Sequence, residues 1–311
     1  MSCSFNKVNF PTVKTHYKSL YLGLVECPPI LQSTYNGVTI KFIDAQQYYL
    51  NVNHQLNIDH LKYLPSATAK DNDAGIDIFY ATLNYLKYLT QITGRLNVIN
   101  DNYLISIYNI PNLDNAYFTG QYMVYGNGKE FKPLVALDVV SHELTHGLCK
   151  SICDLEYKGI SGALNESLSD VLATGFEFYM YGTHKGLLGI QDFTIGEDVV
   201  KNGRSNLRDM RIPRKVGDDK YIDHNDLKID HGGVHINSAI PNYLFYKCCM
   251  DIGMHEIDEI LSYWYRVYCH LPKDCDWTTF GKIALEEVPY KWYAIIKHNL
   301  SEIRILHDSR S

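Results

Sequence analysis

The segment HELTH, residues 142–146, is the strongest candidate for catalytic chemistry in the chain. Valine and leucine residues flank it and no proline interrupts, which predicts a helix over about 137–151. Residues four apart lie on one helix face, so His142 and His146 can each offer a ring nitrogen to one zinc ion. Glu143 lies one step round, where its carboxylate can act as a base toward water at the metal. The alternative interpretation is an exposed polar helix face.

A catalytic zinc site needs a third protein ligand. Glu166, in the segment GALNESLSD (162–170), follows His146 after enough residues for a turn and the start of an antiparallel helix. Zinc-bound histidines usually donate their free N–H to an outer oxygen acceptor. Asn165 and Asp170 flank Glu166 and have suitable side chains for that outer role.

These groups must be positioned by a fold with strands first and helices later. Period-2 alternation predicts strands near 38–42, 103–108 and 121–125, and helical spacing predicts one helix near 76–86 that stops at Gly94. Later periodicity predicts helices at 137–151, 162–180, 235–251, 255–269 and 276–288. Between them, residues 181–234 are rich in Gly and Asp, which is typical of a functional or metal-binding loop region. The fold class is therefore α+β.

Composition excludes several classes of protein. The 311 residues are 46% hydrophobic and 21% charged, as expected for a globular chain with a buried core. The net charge of −6 disfavours nucleic acid binding by bulk electrostatics. No apolar run reaches the roughly 18–20 residues of a membrane helix, so no membrane partner is expected.

The N-terminus and the cysteines give information about the cellular compartment of the protein. The polar start, MSCSFNKVNF, lacks the apolar segment of a signal peptide, which predicts either a cytoplasmic protein or a trimmed mature form. Eight cysteines are too sparse for a disulfide scaffold and are most simply buried thiols. Cys149 and Cys153, four apart just after HELTH, leave a redox or second metal role open.

HELTH followed by GALNESLSD resembles the thermolysin family of zinc metalloendopeptidases. Further segments resemble that family in the same order: NAYFTGQYMVYGNG (115–128), LDVVSHELTHG (137–147), LEYKGISGALNES (155–167), IGEDV (195–199), NLRDM (206–210) and GGVHINSAIPN (232–242). The resemblance implies a thermolysin-like two-lobe α+β metalloprotease. A β-rich N-terminal lobe (1–154) would include the active-site helix, which lies between the lobes, and a mainly helical lobe (155–311) would follow.

The resemblance also assigns roles in the reaction. His142, His146 and Glu166 would hold zinc, with water in the fourth position. Glu143 would be the general base. Tyr157 and His235 would donate hydrogen bonds to the oxyanion, and Asp230 would orient His235.

The resemblance also implies a peptide or protein substrate and a structural cation. Asn115 and Ala116 would bind the substrate main chain as an added strand, and Arg208 would bind a substrate carbonyl. An apolar pocket would favour cleavage before bulky apolar residues; its lining would be Phe131, Leu134, Val139, Val199 and Leu207. One calcium ion, rather than two, is expected at a carboxylate cluster formed by Asp138, Glu177, Asp192 and Glu197.

Two rival functions stay open beside a zinc endopeptidase. One is a non-catalytic peptide-binding protein on a metalloprotease scaffold, whose signature would be loss of a catalytic group such as Glu143, and none is lost. The other is another zinc hydrolase, such as an aminopeptidase, which would need groups that capture a free amino terminus. A monomer is expected in each case.

Overall fold

The computed structural model describes residues 15–46, 64–94, 103–183, 187, 192–201 and 203–306. The polar N-terminal segment and most of the loop after 183, on which the expectation of a single calcium ion rested, lie outside these residues.

Strands dominate the first part of the described chain, as the alternating patterns predict. A β1–β2 hairpin precedes a five-stranded sheet of order β3-β4-β5-β7-β6. The central strands β4, β5 and β7 are parallel, whereas β3 and β6 run antiparallel to their neighbours. In the described part of the chain β6 pairs only with β7, so β6 forms an edge. The bounds are β1 Thr15–Lys18, β2 Leu24–Cys27, β3 Gln32–Tyr35, β4 Val38–Asp44, β5 Tyr103–Ile110, β6 Ala116–Phe118 and β7 Met123–Gly126.

Helix α1 (Ala74–Thr93) packs against this sheet. Asp73 caps its start by accepting the N–H of Gly75 at 2.8 Å, and Gly94 ends it in the left-handed conformation with φ 65°. The predicted stop at Gly94 is therefore confirmed, because glycine adopts positive φ without steric cost.

The later part of the chain is helical and contains one small two-stranded pairing. Two long helices, α2 and α3, follow the sheet and make the most extensive contact between elements. One large apolar core joins the sheet, α1 and these helices, and a smaller cluster covers the other sheet face. The bounds are α2 Leu137–Ile152, α3 Gly159–Thr183, β8 Thr194–Ile195, β9 Arg208–Asp209, α4 Asp230–Asn237, α5 Ala239–Ile252, α6 Ile257–Cys269, α7 Trp277–Glu287 and α8 Tyr293–Glu302.

The structure differs from the sequence predictions in several elements, including the strands β1, β2, β3, β6, β8 and β9, which the alternating patterns did not predict. The helix expected over 235–251 is two helices, α4 and α5, and α4 starts earlier with a left-handed turn over 230–233. The strand expected over 121–125 is β7, preceded by a tight turn that separates it from β6. Helix α8 was not predicted because it buries only Ile296, Asn299 and Leu300, which is too sparse a pattern to recognise.

The fold matches the two-lobe α+β expectation in its main features. A β-rich region precedes a helical region, and α2 packs both on α1 and on α3. No helix in the described ranges has the length and apolar character needed to cross a membrane.

Candidate metal centre

The antiparallel pair α2 and α3 brings the three predicted zinc ligands together. His142 and His146 point from successive turns of α2, and their Nε2 atoms lie 3.1 Å apart. Glu166 on α3 faces them: its Oε2 lies 3.4 Å from His142 Nε2, and its Oε1 lies 3.5 Å from His146 Nε2. The side chains of all three are largely buried, with Glu166 only 1% exposed.

These distances fit a zinc ion. Tetrahedral zinc binds nitrogen and oxygen at about 2.0–2.2 Å, which separates neighbouring ligand atoms by about 3.3–3.6 Å. The observed separations are close to that range. Glu166 Oε2 is buried without a hydrogen-bond partner, which is costly unless a cation or water satisfies it. The donor set of two imidazoles and one carboxylate is also that of a catalytic zinc site with an open position.

Both histidines have outer partners of the predicted kind. His146 Nδ1 lies 2.8 Å from Asn165 Oδ1. His142 Nδ1 lies 2.9 Å from Asp170 Oδ1, although the ring is not aligned for a good hydrogen bond. These contacts leave both Nε2 atoms facing Glu166.

Asp170 is itself held from the other side. Arg208 donates to both of its oxygens, from Nε at 2.7 Å and from Nη2 at 2.6 Å. Asn242 on α5 donates to the same carboxylate at 2.8 Å. Burial alone would raise the pKa of Asp170, but the charges of Arg208 and His142 hold it below its usual range. Asp170 is thus a fixed anion behind His142.

The two histidines differ in their pKa values. Burial lowers the pKa of His146 to about 4, so its ring is neutral. Burial also acts to lower the pKa of His142, but Asp170 and Glu166 outweigh burial and raise the pKa to about 10. A metal ion at this site would replace the proton of His142, because metal binding requires neutral imidazole.

Glu143 lies beside the ligands on α2 and lines the same cleft. It is 5% exposed, and its Oε2 has no hydrogen-bond partner. Burial raises the pKa of its carboxyl to about 7 in the metal-free protein, against the lowering effect of a protonated His142. Glu143 therefore brings a buried carboxyl oxygen with no protein partner next to the three converging side chains.

Tyr157 and His235 meet beside Glu166. The hydroxyl of Tyr157 donates to Glu166 Oε1 and lies 3.2 Å from His235 Nε2. Asp230 orients the imidazole, since its Oδ1 lies 2.6 Å from His235 Nδ1 and its Oδ2 accepts the backbone N–H of His235 at 2.8 Å. Two polar hydrogen-bonding groups therefore flank the potential metal position.

Glycines allow α4 to approach α3 closely enough for this arrangement. A Cβ at Gly162 would lie 2.4 Å from the side chain of Val234, directly before His235. A Cβ at Gly232, which has φ +89°, would lie 2.6 Å from the carbonyl oxygen of His224. A larger residue at either position would push His235 away from the ligands.

The ligands lie in a cleft of about 680 Å³. Edge strand β6 forms one wall, which Asn115 and Ala116 line. Among the predicted apolar pocket residues, Leu134, Val139 and Leu207 line the cleft. The other two lie behind it: Val199 is completely buried in a cluster with Leu134 and Val139, and Phe131 packs against that cluster.

Several cleft residues had not been singled out from the sequence. Ile195 extends the apolar wall, and Lys150 brings a positive charge to the lining. Asn242 was also missed, although it lies in the GGVHINSAIPN segment. Helical spacing could not reveal these residues, because it gives the face of an element and not its neighbours across a cleft.

A second cluster of carboxylates lies at the start of α2. One oxygen from each of Asp138, Glu177 and Glu197 lies within 4.8 Å of the others. Asp192 is outside this group and accepts the N–H and hydroxyl of Thr194, both at 2.7 Å. Burial, followed by the charges of neighbouring acids, raises the pKa of Glu197 to about 7 and that of Glu177 well above its usual value. Glu177 Oε2 has no hydrogen-bond partner.

Two protein-family models match most of the chain. A family model described as "Thermolysin metallopeptidase, catalytic domain" matches residues 31–150, and one described as "Thermolysin metallopeptidase, alpha-helical domain" matches residues 153–299. The chain belongs to the thermolysin metallopeptidase family. The predicted family resemblance is thereby confirmed.

Individual relatives of this thermolysin-family chain are bacterial proteins. An extracellular metalloprotease of Pectobacterium carotovorum subsp. carotovorum is 34% identical over 61% of this chain and 57% of its own length. An extracellular elastase of Staphylococcus epidermidis is 33% identical over 71% of this chain. The chain covers only 43% of that elastase.

A solved structure also resembles this thermolysin-family chain. It is the precursor of protealysin, a metalloproteinase from Serratia proteamaculans, with a TM-score of 0.70 and 26% sequence identity. The match covers 88% of this chain and 90% of the protealysin chain. The likeness supports the two-lobe thermolysin-like fold.

Proposed function

We propose that the protein is a zinc-dependent endopeptidase. The observation that carries this proposal is the convergence of His142, His146 and Glu166 at zinc-ligand separations, with the buried carboxyl of Glu143 beside them. Membership of the thermolysin family and the names of the relatives support it.

The chain's own residues can supply each proton and contact that peptide hydrolysis needs. Zinc, when bound, would polarise the attacking water and the substrate carbonyl. Glu143 would accept a proton from the water and later deliver it to the leaving amine. Tyr157 and His235 would donate hydrogen bonds to the carbonyl oxygen as it gains negative charge.

The cleft suggests how a peptide would bind. Within the described residues strand β6 has an unpaired edge, at which an extended substrate could add as another strand next to Asn115 and Ala116. The apolar wall formed by Leu134, Val139 and Leu207 would accept a bulky apolar side chain after the scissile bond. Arg208, with its side chain 22% exposed, could reach a substrate carbonyl while remaining bound to Asp170.

Each residue in this mechanism comes from a single chain. We therefore propose a monomer that needs no partner subunit for catalysis. The proposed lobe boundary between residues 154 and 155 places the cleft between the N-terminal lobe and the helical C-terminal lobe.

Hydrolysis of casein, with and without 1,10-phenanthroline, tests the function. We expect hydrolysis that the chelator abolishes and added zinc restores, with internal cleavage mainly before Leu, Ile, Val or Phe. A non-catalytic peptide-binding protein would bind casein without cleaving it. An aminopeptidase would instead release single residues from the amino terminus of the substrate. Among the described cleft residues, the carboxylate of Asp154 could bind the amino group of such a substrate. That carboxylate is already paired with Lys273 at 2.7 Å.

Tyr157→Phe should lower kcat by about 10²–10³-fold, the effect typical of losing one oxyanion donor. KM should change little, because the hydroxyl is proposed to act on charge that develops in the transition state. Steady-state kinetics on a fluorogenic peptide would measure both constants. Tyr290→Phe is the matched control, since Tyr290 is 97% exposed and should keep full activity. A normal kcat in Tyr157→Phe would contradict the assigned role.

We further propose that the carboxylate cluster binds calcium. Asp138, Glu177 and Glu197 gather oxygen ligands in a buried place, where their mutual repulsion is unfavourable without a divalent cation. Asp192 lies close enough for its charge to raise the pKa of Glu177 and could complete the site. One calcium ion is proposed.

Removing calcium should lower the melting temperature by about 5–10 °C. Differential scanning fluorimetry in calcium and in excess EGTA would measure the shift. Glu177→Gln should show a much smaller difference between the two conditions, because one ligand and one charge are lost. The control variant Glu286→Gln, at an exposed side chain, should keep the full difference. Equal melting temperatures of the parent protein in both conditions would contradict a calcium site.

A further inference from the structure

Two cysteines at the end of α2 take no part in the proposed hydrolysis. Cys149 lies in the last turn of α2, and Cys153 is the first residue after it. Their Sγ atoms lie 3.5 Å apart. The backbone N–H of Cys153 donates to the carbonyl of Cys149 at 3.0 Å, so the two thiols face each other across one helical turn.

The backbone geometry permits a disulfide between them. One turn of helix separates Cα atoms at positions i and i+4 by about 6 Å. Disulfides join Cα atoms about 4.4–6.8 Å apart. Cys153 has left the helical conformation, with φ −139° and ψ −14°, so no continuing helix holds its backbone. Small side-chain and backbone rotations can therefore close the remaining distance between the sulfurs.

The two thiols differ in their access to solvent. Cys149 is completely buried, whereas Cys153 is half-buried. The contact with Cys153, followed by burial, keeps the pKa of Cys149 well above its usual value. A dissolved oxidant would meet Cys153 first and leave Cys149 as the resolving thiol.

We propose that Cys149 and Cys153 form a modification site at which a small-molecule disulfide, such as glutathione disulfide, converts the two thiols into an intramolecular disulfide. The sulfur of Cys153 attacks glutathione disulfide, whose S–S bond breaks and releases one glutathione. The sulfur of Cys149 then attacks Cys153 and releases the second glutathione. Two electrons pass from the thiol pair to the oxidant, and the two thiol protons end on the two glutathiones.

The segment that follows Cys153 links this site to the cleft. Residues 153–158 connect α2 to α3 and include Tyr157. The connector is fixed at its far side by Lys273, whose carbonyl accepts the N–H of Glu156 at 2.9 Å. A disulfide at the start of the connector would thus act on a short segment that is held at both ends and carries Tyr157.

Peptide mapping of the zinc-loaded full chain tests the site. The protein is incubated with glutathione disulfide, alkylated with iodoacetamide under denaturing conditions and digested with trypsin. Trypsin cuts after Lys150, between the two cysteines, so the disulfide should appear as crosslinked peptides that dithiothreitol separates. Glutathione retained on Cys153, with Cys149 alkylated as a free thiol, would overturn the proposal.

Two variants identify the bond. Cys153→Ser should give no crosslink and leave Cys149 free. Cys269→Ser is the matched control, because Cys269 is also half-buried at a helix C-terminus, on α6, and this variant should crosslink as the parent does. Loss of the crosslink in Cys269→Ser, or a crosslink that persists in Cys153→Ser, would overturn the assignment.

A second readout rests on the proposed peptidase function. Oxidised parent protein should lose activity by about twofold or more, because small displacements of catalytic groups are costly. Dithiothreitol should restore the activity, and Cys153→Ser should keep its activity in the oxidant. A mapped crosslink with unchanged activity would overturn the link to Tyr157 and leave the disulfide site itself established, whereas absence of peptidase activity before oxidation would count against the proposed function alone.

Discussion

Glu143→Gln is expected to lower kcat by about 10²–10⁴-fold, the usual effect of losing a general base. The glutamine amide has nearly the same shape but cannot accept a proton from water. Glu143 is not among the three converging ligand residues, so the variant should keep the zinc content of the parent. Steady-state kinetics and metal analysis of the same sample would measure both quantities.

The control for this prediction is Glu286→Gln, in which the replaced side chain is 58% exposed and contacts only Lys282 at 3.8 Å among the described ion pairs. It should keep full activity. If Glu143→Gln hydrolysed peptides at the parent rate with zinc bound, another group would have to be the base. If Glu143→Gln lost its zinc as well, the low activity could not be attributed to proton transfer, and Glu143 would belong with the ligands.

His146→Ala is expected to abolish both zinc binding and hydrolysis. Loss of an outer hydrogen-bond partner typically weakens metal affinity about 10–100-fold, and loss of a direct ligand should cost more. Asn165→Ala removes the nearer acceptor of His146 Nδ1 and leaves the hydroxyl of Ser169 at 3.2 Å, so it should show an intermediate effect. Titration of the metal-free proteins with zinc in a competing chelator would rank the three affinities.

His298→Ala is the control for the ligand series, because its side chain is 68% exposed on α8. It should bind zinc as the parent does. Parent-like zinc affinity in His146→Ala would exclude this histidine as a ligand. Equal affinities of the Asn165→Ala variant and the parent would show that the contact with Asn165 does not itself contribute to zinc affinity.

Local spacing predicted the parts of the site that lie on single helices. His142, Glu143 and His146 follow from the helical repeat, and Glu166 follows from the length of chain needed to turn back. The start of α4 did not follow, because it depends on a left-handed turn from Asp230 to Gly233 that has no helical periodicity. Its position is decided by close backbone contacts with residues distant in the sequence.

The apolar pocket shows a second limit of sequence reasoning. An apolar residue such as Val199 or Leu207 has the same character whether it faces the cleft or the core, so residue type alone could not separate the lining from the layer behind it. Burial resolves the difference: Val199 is completely buried, whereas Leu207 is 37% exposed at the cleft. The bond between Arg208 and Asp170 likewise joins two distant segments and had no signal in local spacing.

The contact of Arg208 with Asp170 would make the proposed peptide binding and the proposed metal binding thermodynamically dependent on each other. Arg208 faces the cleft and also holds the carboxylate behind His142. A ligand that draws the guanidinium toward itself alters the field at that imidazole, and by reciprocity the metal must alter the affinity for the ligand by the same factor. Binding of a ligand at Arg208 and binding of a metal ion at His142 would therefore influence each other through Asp170.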